Sequence, residues 1–132
     1  MSSILLRHAS AGDRHFWDGD DRERPLDEKG RRQAEALVAP LLEQGARRVV
    51  SSPYVRCVET VEPLAAALGV AVEKDERLAE GAGRAALELL VEDGVVACTH
   101  GDVIFAVLSV DLKKAAAAVL ENGAVVRLLP RP

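Results

Sequence analysis

Short apolar segments alternate along this chain with longer segments of helical periodicity, and this alternation constrains the fold most strongly. Ser3–Leu6, Arg48–Val50 and Val95–Cys98 each have the length and composition of a fully buried strand. A segment in which apolar residues recur at helical spacing follows each of them. Strands that alternate with helices are typical of a parallel sheet covered by helices. The sequence therefore predicts an α/β layered fold with a mainly parallel sheet.

Three longer helices are predicted from capping residues and apolar spacing. Asp27 is placed to cap the first helix. The second spans about residues 54–68, and the third runs from about Asp102 to Leu108. Pro40 and Pro63 lie inside the first two helices, where a proline ring predicts a bend or a loss of stability.

The shorter elements are predicted from weaker local patterns. Val70–Val72 resembles a short strand, and residues 85–91 resemble a helix. Near the C-terminus, the alanines of Lys113–Val119 favour a helix and Ala124–Leu129 favours a strand. Asn122-Gly123 supports the alternative that the chain turns a β-hairpin there.

Composition and charge narrow the class of protein. With 132 residues the chain is predicted to form one domain over residues 1–132. Its formal net charge is −4 and it has no basic patch with interleaved aromatics, which argues against nucleic acid as a partner. No apolar run approaches the roughly 18 residues of a membrane span, and Met1–His8 lacks the features of a signal peptide. Cys57 and Cys98 are too isolated for a disulfide framework, so a cytoplasmic location is predicted.

Unusual polar residues follow the predicted strands at the point where each strand ends. Arg7-His8 follows the first strand, Ser51-Ser52-Pro53 the second and Thr99–Asp102 the one after Gly94, while Arg56 begins the next helix. Ligands of open parallel sheets lie beyond the carboxyl ends of the strands. Two arginines, two histidines and backbone N–H groups at helix starts suit a phosphate group.

Other kinds of site are disfavoured by the motifs of the sequence. Two histidines without partnered carboxylates or thiolates make a weak metal site, so no metal is predicted. Neither nucleotide-binding glycine motif, G-x-x-x-x-G-K-[ST] or G-x-G-x-x-G, is present, and the G-x-S-x-G elbow of serine hydrolases is also missing. No cofactor is predicted. Of the kinds of chemistry considered, phosphoryl transfer with a histidine as the attacking group is the one that these residues favour.

These motifs resemble those of the histidine phosphatase (phosphoglycerate mutase-like) superfamily. The matching segments, in the order and spacing of that family, are Leu6–Ala9, Arg24–Leu26 with Gly30 and Gln33-Ala34, Ser51–Thr60 and Cys98–Asp102. The resemblance implies a three-layer α/β/α sandwich, and it is strongest with the short bacterial branch that includes phosphohistidine phosphatases. A similar domain follows a Nudix hydrolase domain in some actinobacterial proteins. Ala9 replaces a common glycine, and the large substrate-covering insertion is missing, which favours hydrolysis over mutase activity.

The resemblance also implies roles for individual residues. His8 would be the nucleophile, Arg7 and Arg56 would hold the phosphoryl oxygens, and His100 would donate a hydrogen bond to the transferring group. The leaving group of a monoester needs a proton. Glu80, in Leu78-Ala79-Glu80, is the first candidate for this general acid, and Asp102 is the second.

Secondary contacts are predicted less directly. The hydroxyls of Ser10 and Ser51 and the backbone N–H of Gly101 are candidate substrate contacts. Trp17, with His15 and Phe16, lies in the long segment from Ala9 to Pro25 and either forms a wall of the site or packs this loop down. The charged run 18–24 is interpreted as a solvated face.

The resulting hypothesis is a metal-independent phosphatase that forms a phosphohistidine intermediate on His8. Protein phosphohistidine is the first substrate class, and a small metabolite or nucleotide-derived phosphate is the second. The alternative in which the protein is not an enzyme is a catalytically silent domain that binds phosphate or a partner protein. The sequence does not indicate an oligomeric state or a pathway.

Overall fold

A six-stranded mixed sheet forms the centre of the protein in the computed structural model, which describes residues 2–132. Its strands lie in the order β3-β2-β4-β1-β5-β6. The first four of these are parallel, and β5 and β6 add an antiparallel hairpin beside β1. The strands are β1 (Ser2–Arg7), β2 (Arg48–Ser51), β3 (Glu73–Lys74), β4 (Val95–Thr99), β5 (Ala117–Glu121) and β6 (Ala124–Leu129). The predicted mainly parallel α/β sheet is confirmed. Met1 lies outside the described residues.

Both faces of the sheet are buried at its four central strands, β2, β4, β1 and β5, and because successive side chains point to opposite sides, each of these strands contributes to two cores. In β1, Ile4 and Leu6 belong to one apolar cluster, and Leu5 belongs to the other. Helices α1 (Glu28–Glu43) and α2 (Val55–Leu68) cover the first face. Helix α3 (Gly101–Leu108) and short 3-10 turns cover the second. The layers are therefore helices, sheet and helices.

Local signals account for the ends of the long helices. The carboxylate of Asp27 accepts a hydrogen bond from the N–H of Gly30 at 2.7 Å and caps α1 as predicted. Gly69, at φ 71°, ends α2 in the left-handed conformation that glycine adopts without steric cost. Helical structure continues through Pro40 and Pro63 in both helices. No helix within residues 2–132 is long and apolar enough to cross a membrane.

Three of the shorter elements differ from the prediction. The third strand is Glu73–Lys74, which pairs with Val50 and Ser51, and not Val70–Val72. The predicted helix over 85–91 is only a 3-10 turn over Ala85–Glu88. Near the C-terminus the alternative, a β-hairpin that turns at Asn122-Gly123, is confirmed together with the strand Ala124–Leu129. The helix predicted from the alanines is wrong, because β5 pairs along the whole of its length with β1 and this pairing overrides the helix preference of alanine.

Candidate active site

The motif residues meet at one edge of the sheet. Strands β1, β4 and β2 are parallel, so Arg7, Thr99 and Ser51 all end at the same side. Because β4 lies between the other two, the residue after it, His100, lies between the ends of β1 and β2. The ring centroids of His8 and His100 are 5.5 Å apart. The structure thus brings together the histidines that the sequence singled out.

His8 is buried as a neutral imidazole. It is only 5% exposed, and its Nδ1 lies 2.8 Å from the carbonyl oxygen of Ala9. A carbonyl only accepts hydrogen bonds, so Nδ1 carries the proton and Nε2 keeps its lone pair. Burial lowers the pKa of His8 to about 3, and the positive charges of Arg56 and Arg7 act in the same direction. An imidazole in this state is suited to nucleophilic attack.

The second histidine is oriented by a serine. His100 Nε2 lies 2.9 Å from Ser52 Oγ, and Ser52 Oγ in turn accepts a hydrogen bond from the N–H of Tyr54 at 3.2 Å. Cys57 Sγ also lies 3.6 Å from Nε2. Donation of the Ser52 hydroxyl proton to Nε2 would place the imidazole proton on Nδ1. The Nδ1 atom faces Glu80 Oε2 at 3.7 Å, beyond hydrogen-bond distance.

Arg7 lies beside His8 with part of its guanidinium committed to the fold. Its Nη1 donates to the carbonyl oxygen of Leu112 at 2.7 Å. Burial lowers the pKa of Arg7, while the carboxylate of Asp111 acts against this shift. A Cβ on Gly101 would lie 3.1 Å from Arg7 Cζ, so the glycine at the start of α3 leaves room for the guanidinium. Gly101 lines the same cleft as Arg7 and His8.

Arg56 is fully buried between two carboxylates. Its Nη2 donates to Asp21 Oδ2 at 3.0 Å and to Glu80 Oε2 at 2.9 Å, and its Nη1 donates to the carbonyl oxygen of Asp21 at 2.8 Å. Asp21 and Arg24 come from the charged run 18–24, which was predicted to be solvated. Arg24 is instead only 6% exposed, because it bonds Asp21 at 3.0 Å and its Nη1 donates to the buried carbonyl oxygen of Ala11.

Three buried nitrogens remain without a partner at this site. Among residues 2–132, Arg7 Nε, Arg56 Nε and His100 Nδ1 are the buried side-chain nitrogen and oxygen atoms with no hydrogen-bond partner. Buried polar groups are nearly always hydrogen-bonded, so three unpartnered nitrogens from one site are unusual. Each can donate a proton, and a tetrahedral oxyanion offers several acceptor oxygens.

The candidate acids occupy different positions. Glu80 is 30% exposed; it binds Arg56 and lies 3.5 Å from Arg14. Asp102 accepts a hydrogen bond from the N–H of Gly81 at 2.7 Å, and thereby holds the turn that follows Glu80. Both line the cleft that contains His8 and His100.

Three of the predicted substrate contacts are directed elsewhere. Ser10 Oγ donates to Asp27 Oδ2 at 2.7 Å. Ser51 is fully buried, and its Oγ donates to the carbonyl oxygen of Ser52 at 2.8 Å. Trp17 Nε1 donates to the carbonyl oxygen of Asp20 at 2.9 Å, and its ring lines neither cleft beside His8. These side chains stabilise the loops around the site, since each satisfies a nearby backbone or capping group.

Two clefts extend from His8. One, of about 460 Å³, is also lined by the two candidate acids, Phe105 and Asp111. The other, of about 410 Å³, is lined by Gly12–His15, Arg24 and Lys114. Four residues that line these clefts were not predicted from the sequence: Arg14, Phe105, Asp111 and Lys114. The pair Lys113-Lys114 before the alanines was the one sequence feature that could have indicated an additional cation. A larger groove of about 540 Å³ lies between α1 and α2, away from both histidines.

No metal site accompanies these groups. Within residues 2–132, no group of three or more His, Cys, Asp or Glu side chains is arranged to hold a metal ion. The positive charge at the site comes from arginines and Lys114. Arginines suit phosphate through their planar set of N–H donors.

Residues 3–86 match the family model of the Histidine phosphatase superfamily (branch 1). The chain belongs to this superfamily. The matched segment includes His8, Arg56 and Glu80, and it ends before His100. A curated relative, the 8-oxo-(d)GTP phosphatase of Mycolicibacterium smegmatis, is 43% identical over 110 residues. That alignment covers 76% of this chain but 34% of the relative, so the chain spans about a third of that protein's length.

Solved structures of the superfamily share the whole architecture. The protein histidine phosphatase SixA complexed with tungstate superposes with a TM-score of 0.77 and 21% identity, over 98% of this chain and 97% of that one. A mycobacterial glucosyl-3-phosphoglycerate phosphatase in complex with VO3 superposes with a TM-score of 0.74 and 18% sequence identity, over 96% of this chain and 95% of that one. The predicted phosphoglycerate mutase-like fold is confirmed, while the prediction of one domain over 1–132 stays a prediction.

Proposed function

We propose that this chain is a metal-independent phosphatase that works through a phosphohistidine on His8. The observation that carries this proposal is a neutral, buried His8 beside the three unpartnered nitrogens of Arg7, Arg56 and His100. A nucleophile with a free lone pair next to donors for an oxyanion is the arrangement that phosphoryl transfer requires.

The first step is attack by Nε2 of His8 on phosphorus. A P–N bond forms, the bond to the leaving group breaks, and the leaving group takes the bonding electrons. Arg7, Arg56 and His100 donate hydrogen bonds to the phosphoryl oxygens, which stabilises the charge spread over them. In the second step water attacks phosphorus, the P–N bond breaks, and inorganic phosphate leaves with His8 neutral again.

Glu80 is the group we propose to exchange the proton. Its carboxylate lies within 3.7 Å of His100 Nδ1 and is partly exposed to the cleft. In its protonated form Glu80 would donate this proton to a leaving alkoxide, and the resulting carboxylate would then accept a proton from the attacking water. Asp102, which lines the same cleft and accepts the N–H of Gly81 at 2.7 Å, is the second candidate. An imidazole leaving group is less basic than an alkoxide and depends less on either acid.

Two substrate classes are supported by different observations. Protein phosphohistidine is supported by the position of Trp17, which leaves the clefts beside His8 uncovered, and a bulky substrate needs such access. A nucleotide-derived phosphate is supported by the 43% identity to the 8-oxo-(d)GTP phosphatase. Cys57 and Cys98 are free thiols, which agrees with the cytoplasmic location that forms part of this proposal.

The test is hydrolysis of an aryl phosphate with a metal chelator present, in the wild-type protein and in His8→Ala. We expect activity that survives chelation and is lost in the variant. Rapid quenching should trap a phosphoprotein that is labile to acid and stable to alkali, with the label mapped to His8. If neither the aryl phosphate nor a phosphohistidine peptide is hydrolysed while phosphate still binds, the chain is a silent phosphate-binding domain.

A further inference from the structure

The two clefts that meet at His8 carry opposite charge. Arg7, His8 and Arg14 line both clefts. In one cleft they are joined by three carboxylates, those of Glu80, Asp102 and Asp111. We call the other one the basic cleft; its lining has four cationic side chains, Arg7, Arg14, Arg24 and Lys114, and one carboxylate, Asp13. These positive charges are clustered in one cleft although the formal net charge of the chain is −4.

The cations of the basic cleft are neutralised to different degrees. Arg24 is paired with Asp21 at 3.0 Å, and Arg14 approaches Glu80 only at 3.5 Å. Lys114 forms no ion pair with any carboxylate in residues 2–132. Partial burial lowers the pKa of Lys114, and the charges of Arg7 and Arg24 act in the same direction, whereas Asp27 opposes them. Such a repelled ammonium group is stabilised by an added anion.

The backbone holds Lys114 next to the nucleophile. Ala115 has a φ of 66°, a left-handed conformation that is strained for a residue with a Cβ. Its N–H donates to the carbonyl oxygens of Arg7 and His8, at 3.2 and 3.1 Å. Strained backbone persists where the surrounding structure enforces it, and such positions cluster at functional sites. Here it keeps Lys114 in register with the end of β1.

We propose that the basic cleft binds a second phosphate group of the substrate, with Lys114 as its main contact. This inference rests on the proposed function and selects the second substrate class, a small molecule with two nearby phosphates. One phosphate reaches His8, and the other lies against Lys114 and Arg14. The cleft lined by Glu80, Asp102 and Asp111 disfavours a second anion, because these three carboxylates are negatively charged.

Calorimetric titration with ligands that cannot be hydrolysed tests the site without relying on turnover. The probes are methylphosphonate, methylenebisphosphonate and propane-1,3-bisphosphonate, applied to the wild-type protein, Lys114→Met and Lys113→Met. Lys113 is the exposed neighbour, so its variant removes the same charge outside the cleft. Thermal melting of both variants confirms that they fold.

We expect a bisphosphonate to bind the wild-type protein at least about tenfold more tightly than the monophosphonate. Lys114→Met should remove most of that preference, whereas Lys113→Met should retain it. Preference for the short linker indicates a diphosphate substrate, and preference for the long linker indicates a bisphosphate. Equal affinity for all probes, or an equal loss in both variants, overturns the proposal. If the wild-type protein neither hydrolyses phosphate compounds nor forms a phosphoenzyme in the earlier test, the phosphatase is rejected and this binding result still stands.

Discussion

At the scale of single residues, the protein maintains a neutral nucleophile by burial. His8 sits among two arginines and a second histidine, and removal from water makes an added positive charge costly. The imidazole is therefore ready to attack throughout the neutral pH range. The same burial couples the ionisation of His8 to the stability of the fold.

Stability should depend on pH through His8. The pKa of about 3 in the folded state lies below the value of about 6.5 for an unfolded histidine. The unfolded state therefore binds this proton first, so stability is complete above about pH 6.5 and is lost as the pH falls towards 3. One such group gives a slope of about 1.4 kcal/mol per pH unit.

This slope is measurable with urea. Between about pH 7 and about pH 5, we expect the free energy of unfolding to fall about 2 kcal/mol further in the wild-type protein than in His8→Asn. The asparagine variant carries no titrating group at this position. An identical pH dependence in the two proteins would show that His8 is not buried in its neutral form.

The hydroxyl of Ser52 should determine which nitrogen of His100 carries the proton. Ser52→Ala removes the nearer partner of Nε2 and leaves it only the weak contact with Cys57 Sγ at 3.6 Å, so we expect a mixture of tautomers in ¹⁵N NMR spectra and about a tenfold fall in kcat/KM. Ser51→Ala is the matched control, because this equally buried hydroxyl donates to a carbonyl and does not contact His100. A single unchanged tautomer in Ser52→Ala would remove Ser52 from this positioning role.

At the scale of elements, the start of α1 supports the segment that follows His8. Asp27 Oδ2 accepts hydrogen bonds from Ser10 Oγ and from the N–H of Gly12, at 2.7 and 3.0 Å. Gln33 Oε1 accepts the N–H of Ser10 at 2.9 Å. The motif around Gly30 and Gln33 lies about 20 residues after His8 in the sequence. These contacts explain its part in the site: it holds the segment that follows His8.

Gly30→Ala should disturb this contact. A Cβ at Gly30 would lie 1.9 Å from the carbonyl oxygen of Ser10, so helix and loop have to separate. We expect a loss of about 1–3 kcal/mol in the free energy of unfolding, the usual range for overpacking, together with reduced kcat. Urea denaturation measures the first effect. Lys29→Ala, on the exposed side of the same turn, is expected to change stability by less than about 0.5 kcal/mol. Comparable losses in both variants would contradict the steric explanation.

At the scale of the whole molecule, the charge distribution separates the site from the rest of the surface. The chain carries a formal net charge of −4, while arginines and Lys114 surround His8. The basic cleft therefore attracts an anionic substrate, and salt weakens that attraction.

The salt dependence of activity should report this field. Raising the ionic strength from about 0.01 to about 0.3 M should lower kcat/KM for an anionic aryl phosphate, chiefly through KM. Lys114→Met should show a shallower dependence than Lys113→Met, because only the first variant changes the charge at the site. Parallel salt curves for the two variants would mean that the local field does not guide binding.

The sequence by itself determined the alternation of strands and helices and the chemistry at the strand ends. These features are local: a buried strand needs a short apolar run, and Arg7, His8, Ser51, Ser52 and His100 follow such runs directly. Parallel pairing then brings strand ends together in any sheet of this class.

Only the tertiary structure decided where the remaining side chains point. Ser10, Ser51 and Trp17 face partners that sequence spacing does not reveal. The C-terminal alanines form β5 because β1 offers a long-range partner, and this pairing outweighs their local preference for a helix. The same hairpin brings Lys114 beside His8. Long-range hydrogen bonds and the removal of charges from water determine these side-chain directions and the strand conformation of β5. Neither effect can be read from a local pattern of residues.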